Sequence, residues 1–168
     1  MTSEFDDAYE DKERIQGALF TTTVSELNLS PAIIVDAKDS VVSAVNSMNE
    51  RHIGSVLVQR DGKLVGIFTE RDVLTRVAFR DGNRDLKVES VMTRNPETLE
   101  AGETIAFALN KMSVGGFRHI PIVDGDGKPT GVVSVRNIVD FLAELFPEDV
   151  INLPPNPGLG IPKSIDGG

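Results

Sequence analysis

Met48–Leu74 reads MNERHIGSVLVQRDGKLVGIFTERDVL, and Met112–Val139 reads MSVGGFRHIPIVDGDGKPTGVVSVRNIV. With one residue inserted, the two stretches align from the methionine into the last helix. Met48 falls on Met112, Gly62-Lys63 on Gly127-Lys128, Gly66 on Gly131, Thr69 on Ser134, Arg71 on Arg136 and Asp72 on Asn137. The repeat period is about 64 residues, too long for a solenoid unit and suited to two small α/β units sharing one core. A single unit of ~60 residues buries only about 60% of its unfolded surface, so two pressed together make a better core.

Working outward, each copy carries the same signals in the same order. Val41, Ala44, Val45 and Met48 form an apolar stripe at helical spacing, as do Ile105, Ala108, Leu109 and Met112. Helices are predicted over 40–50 and 104–113. Strands 55–59 and 64–69 flank Asp61-Gly62, and strands 120–123 and 130–134 flank Asp126-Gly127. Asp-Gly between β-rich runs predicts a hairpin, because glycine accepts the positive φ of the turn. A helix then closes each copy, over 70–79 and 135–146. Ahead of each first helix come a short turn (23–27, matched by 88–92) and a short strand (33–35, matched by 96–99). The pattern predicts an α+β fold of two units, each turn–strand–helix–strand–strand–helix. The boundaries are an N-terminal arm at 1–22, units at 23–84 and 85–146, and a tail at 147–168. Within the arm, 1–14 is polar and a short helix is predicted over 13–20. The tail holds five prolines and four glycines, a composition that excludes helix and central strand.

Composition narrows the function classes. The chain has no cysteine, which excludes disulfides and thiolate chemistry. No apolar run reaches the ~20 residues of a membrane span, and the acidic start lacks the apolar core of a signal peptide. The cytoplasm is the expected location. The net charge of −9 opposes binding to nucleic acid or an anionic membrane. Asp124-Gly125-Asp126-Gly127 resembles a calcium loop, but the twelfth position is Val135 rather than Glu. Pro162 prevents a helix after Gly158-Leu159-Gly160, so no phosphate loop forms there. His52 and His119 do not align in the repeat, and neither a catalytic group nor a metal site is predicted.

The order P-x-x-hydrophobic, helix ending in Met, strand, D-G-K hairpin, G-hydrophobic-x-[T/S]-x-R-[D/N], helix resembles the cystathionine-β-synthase (CBS) domain. Two in tandem resemble a CBS pair, or Bateman module, covering roughly residues 23–146. The resemblance implies two units packed about a pseudo-twofold axis, and a regulatory role in which no bond is broken. It implies an adenosine-containing ligand, AMP, ADP or ATP before S-adenosylmethionine or NAD, in clefts between the units. It also implies a homodimer and an unidentified protein target; no cofactor is required. Thr69 is then placed for phosphate and Asp72 for the ribose hydroxyls. Arg118 and His119 direct a cation and an imidazole toward phosphate. Ile34 and Thr98 present backbone groups to the adenine edge.

The residues themselves leave alternatives open. Thr69-x-x-Asp72 at a helix start is equally a capping box. Ser134 and Asn137 repeat it without the charge. Arg71 and Arg136 either reach phosphate or face water. The first copy has Gly54-Ser55 where the second has Arg118-His119, so the two clefts are expected to bind unequally. The competing reading is a ligand-free dimerisation or adaptor protein.

Overall fold

Both predicted hairpins form, and their turns explain why. In the computed structural model, which describes residues 4–145, Asp61 and Gly62 both have positive φ (52° and 77°), and Gly127 repeats it (77°). In the second turn Asp124 Oδ1 accepts from the backbone N–H of Asp126 and Lys128, at 3.0 and 2.9 Å. The tail 147–168 and the first three residues of the arm lie outside the described residues.

In chain order the elements are α1 (Glu4–Thr21), a 3-10 turn (Val24–Glu26), β1 (Ser30–Pro31), β2 (Ile34–Asp36), α2 (Val41–Arg51), β3 (Ser55–Arg60) and β4 (Lys63–Thr69). Then come α3 (Glu70–Asp72, continued by a π-helical turn Val73–Val77), two further 3-10 turns (Asn83–Asp85 and Val88–Ser90), β5 (Thr93–Arg94), β6 (Leu99–Glu100), α4 (Ile105–Gly115), β7 (His119–Val123), β8 (Pro129–Ser134) and α5 (Val135–Leu145). Ser40 and Thr104 cap α2 and α4 by accepting from the N–H of Ser43 and Phe107. Both helices stop at a left-handed residue, His52 and Gly116.

The arm differs from expectation. In place of a polar stretch with a short helix at 13–20, one helix of 18 residues spans Glu4–Thr21. Its early residues are acidic, which suits a helix N-terminus, and its C-terminal end docks where Leu19 meets the second core. The apolar stripe is too sparse to announce itself. The last helix of the first unit also departs: α3 widens into a π turn, with Ala78 N–H donating to Val73 O at 2.9 Å.

Two four-stranded sheets form, in the orders β2-β3-β4-β5 and β1-β8-β7-β6. Each sheet contains one edge strand from the other half of the chain. Thr93 and Arg94 pair with Ile67 and Gly66 of the first sheet, while Ser30 and Pro31 pair with Val132 and Gly131 of the second. The turns ahead of these strands are exchanged in the same way. Val24 N–H donates to Glu103 O at 2.8 Å, and Val24 and Leu27 pack with Leu99, Ile105 and Ile120. Val88 N–H donates to Asp39 O at 3.0 Å, and Val88, Val91 and Met92 pack with Val56 and Phe68. Gly66 permits this exchange: a Cβ there would lie 2.3 Å from Met92 Sδ and 3.0 Å from Thr93 O.

Strand alternation then builds three layers. Val56, Val58 and Phe68 face the helices α2 and α3, while Leu57 and Ile67 face Val132 of the second sheet. β3 is therefore buried on both sides from Ser55 to Val58. Full burial of such side chains contributes about 1.5–3 kcal/mol each. The packed sheets bring the ends of β4 and β8, where α3 and α5 begin, to one shared crevice.

Candidate functional site

The crevice has a volume of about 900 Å³ and lies between the two units. One wall carries Ile67, Thr69 and Asp72 with the incoming segment Thr93–Glu97. The other carries Val132 and Ser134 with Ser30 and Pro31. These walls correspond across the repeat. Between them lie the starts of β3 and β7, with Gly54 and Ser55 on one side and Arg118 and His119 on the other.

At the first corner, Thr69 and Asp72 close a complete capping box. Asp72 Oδ2 accepts from the backbone N–H and the hydroxyl of Thr69, both at 2.9 Å, and Thr69 Oγ1 accepts from Asp72 N–H at 3.4 Å. Asp72 is only 5% exposed. Its other oxygen lies 3.2 Å from Arg76 Nη1, which also donates to the carbonyls of Val91 and Met92 at 3.0 and 2.7 Å. Arg76 thus ties the crossing segment to α3. The capping alternative is realised here. A carboxylate offers about four acceptor positions, so three engaged ones leave room for one hydroxyl unless a neighbour moves.

The second corner has the same geometry and a different outlook. Asn137 Oδ1 accepts from Ser134 N–H and Oγ, both at 2.7 Å, while its Nδ2 donates to Asn28 O at 2.7 Å. Ser134 lines the crevice, but Asn137 lines a separate recess of about 340 Å³ with Glu26, Asn28 and Phe141. The expectation of Asn137 beside a ligand in the crevice is corrected accordingly: its amide is spent on the cap and on the incoming chain.

Arg71 neither faces water alone nor waits unengaged. It lines the crevice, and its Nη1 donates to Gly116 O at 2.6 Å, joining α3 to the end of α4. At the equivalent place Arg136 lines the crevice too, well exposed and 3.7 Å from Asp140 Oδ2. Ile34 and Thr98 are not brought to the crevice. Ile34 sits exposed on β2, and the Thr98 carbonyl accepts from Lys111 Nζ at 3.3 Å. The positions they were expected to fill are taken by Ser30-Pro31 and Thr93–Glu97. The exchanged edge strands β1 and β5 are additional to the strands expected at 33–35 and 96–99, which form as β2 and β6.

Thr69, Arg71, Asp72, Arg118, His119, Ser134 and Arg136 are therefore gathered in one place, and Ile34, Thr98 and Asn137 are not. Glu70, Arg76 and Asn95 were missed. Arg76 had a signal, since it stands four residues after Asp72 on the same helix face. Asn95 had none, because only the crossing places it there.

His119 opens β7 opposite Ser134, half-buried and lining the crevice. Burial holds its pKa below the ordinary value, helped by Arg118, while Glu70 opposes the shift. A histidine held neutral in the fold takes up its proton more readily when unfolded. Stability is therefore whole above about pH 6.5 and declines as pH falls through the lower folded pKa. Urea unfolding at descending pH is expected to show this decline, and His119→Gln is expected to flatten it.

Comparison with known proteins follows this geometry. The CBS domain family model matches residues 24–78 and again 88–144. An uncharacterised 17.7 kDa protein of Acidianus ambivalens is 32% identical over 125 residues, covering 74% of this chain and 75% of the relative. The Arabidopsis thaliana CBS domain-containing protein CBSCBSPB3 is 34% identical over 128 residues, covering 76% of this chain. This chain spans only 23% of that relative's length. Among solved structures, the CBS domain NE2398 superposes with a TM-score of 0.68 at 31% identity, covering 72% of this chain and 97% of that one. The CBS domain pair of protein MJ0100, solved with 5′-methylthioadenosine and S-adenosyl-L-methionine, gives 0.67 at 25% identity, covering 74% and 98%.

Proposed function

We propose that this chain, which belongs to the CBS domain family, is a regulatory module that binds an adenosine-containing ligand in the crevice between its units. The observation carrying this reading is the convergence of both strand-to-helix corners on one open space of about 900 Å³. A nucleoside with its phosphate fits a space of this size. Asp72 keeps one acceptor position for a sugar hydroxyl, Arg118 supplies a cation for phosphate, and Thr69 meets phosphate only by releasing a bond it donates to Asp72. The adenosine compounds bound by the MJ0100 pair support the same ligand class. AMP, ADP and ATP are the first candidates, S-adenosylmethionine and NAD the next.

Binding regulates only if the ligand prefers one arrangement of the units over another. Arg71 and Arg76 are where that preference would act, because each joins segments from different halves of the chain. The chain acts as a homodimer in this reading. Leu74 and Val139 stand exposed at matching places on the two closing helices, and Phe79 is 95% exposed beside the first. Such apolar surface is a candidate self-association face. An unidentified protein is the downstream target, and the setting is the cytoplasm. No helix among the described residues is long and apolar enough to cross a membrane.

Thermal-shift measurements against AMP, ADP, ATP, S-adenosylmethionine and NAD test the reading. A specific ligand at a hundred times its Kd stabilises the fold by about 2.7 kcal/mol, a rise of several degrees. The complete capping box at Thr69 and Asp72 favours one rival, a ligand-free adaptor. A flat response to all five compounds supports that rival.

A further inference from the structure

The two corners differ in what holds the crossing chain. In the first, Arg76 Nη1 lies 3.2 Å from Asp72 Oδ1 and donates to the carbonyls of Val91 and Met92 at 3.0 and 2.7 Å. In the second, the place of Arg76 is taken by Phe141, which packs against the second core. There the cap residue does the tethering itself, with Asn137 Nδ2 donating to Asn28 O at 2.7 Å. Asn137 lines the separate recess as a result, whereas Asp72 and Arg76 both line the crevice.

A carboxylate could not do what Asn137 does, since it has no hydrogen to give a carbonyl. Asp72 is also only 5% exposed, and a buried carboxylate without a partner is strongly disfavoured. Arg76 meets both needs. The two hydrogens of its Nη1 go to the crossing segment. It therefore faces Asp72 Oδ1 as a charge, and that oxygen keeps a position for a hydroxyl. The helix differs between the copies at the same place. Arg76 lies in the π turn Val73–Val77, whereas α5 is regular from Val135 to Leu145. Single π turns inside helices are frequent at functional sites.

We infer that Arg76 is the positioning residue that makes the first corner, and not the second, a seat for the ligand's sugar. It acts through Asp72, keeping the carboxylate ionised and turned into the crevice with the crossing segment fixed beside it. The assignment rests on the nucleotide reading above and adds the number of seats: one adenosine ligand per chain, its ribose at Asp72. The second corner, with Phe141 in place of the arginine, has its amide already spent on Asn28.

The test is calorimetric titration of the full chain with AMP and with its 2′,3′-dideoxy analogue. Both carry the same phosphate, so a change in the overall field affects them alike, and the ratio of their affinities reads the sugar contact. Wild type is expected to bind one AMP per chain, about tenfold or more tighter than the analogue, as suits a hydroxyl on a charged acceptor. Arg76→Met is expected to bring the two ligands within about threefold of each other. Arg76→Gln keeps a donor for the carbonyls and removes the charge. It is expected to narrow the ratio in the same way, and it covers the case in which the methionine variant does not fold. An arginine with a merely structural role would weaken both ligands equally. A ratio left at its wild-type value in the folded variants therefore overturns the inference, as do two equal sites per chain. Wild type that binds both ligands equally tightly removes Asp72 as the sugar contact and Arg76 with it, leaving the nucleotide reading in place. Wild type that binds no adenosine compound removes that reading and this inference together.

Discussion

Val24→Asp is expected to destabilise the second half of the fold, although Val24 stands at the start of the first unit in the chain. Val24 is fully buried against Leu99, Ile105 and Ile120, and its N–H is held by Glu103 O. An aspartate there either buries an unpaired charge or pulls the turn out of the core. Either outcome costs about 4 kcal/mol or more, the range reserved for a buried unpaired charge or lost core. Hydrogen exchange locates the damage. Protection should fall in the β7–β8 hairpin and α4 before it falls in β3 and β4. Where Val24→Asp does not fold, Val24→Ala gives the same ordering with a smaller loss. Protection lost first in Ser55–Thr69 would contradict the exchange of segments between the two cores.

The second large effect is at Asp72. Removing its carboxylate leaves Thr69 N–H without an acceptor and Arg76 without its acidic partner. Asp72→Ala is expected to lower stability by about 1–3 kcal/mol, the loss of a cap plus a stranded polar group. On the proposed reading it also weakens nucleotide binding about tenfold or more, since charge-assisted bonds contribute roughly 1.5–3 kcal/mol each. Asp72→Asn separates the two roles. Asn137 shows that an asparagine completes the same cap in the second copy. The asparagine variant should therefore stay within about 1 kcal/mol of wild type in urea unfolding while still binding nucleotide more weakly. If calorimetry finds its affinity unchanged, Asp72 caps the helix and does nothing for a ligand.

How much of this was legible beforehand depends on the range of the interaction concerned. The amphipathic stripes at Val41–Met48 and Ile105–Met112, both Asp-Gly hairpins and the capping pattern at Thr69 and Ser134 are local, written within ten residues of chain. Seven proposed site residues meet in one crevice because they sit at the ends of such local elements. Ile34, Thr98 and Asn137 stayed outside it. Ile34 lies on β2 and Thr98 just before β6, while the additional strands β1 and β5 line the crevice in their place; Asn137 turned toward Asn28, a residue 109 positions away. Glu70 and Arg76 were passed over because each looks like an ordinary surface charge on a short helix.

By itself, then, the order of residues determined the duplication, the identity of most elements and the chemistry at each strand-to-helix corner, since turn geometry, caps and apolar periodicity act between near neighbours. Only the tertiary structure decided which core each connecting segment completes. Val24 and Val88 are equally apolar and lie in matching turns, so nothing in their surroundings along the chain says which core each will enter. That choice is made when two sheets pack face to face and each lends the other an edge strand, a contact that exists only once both halves have folded together.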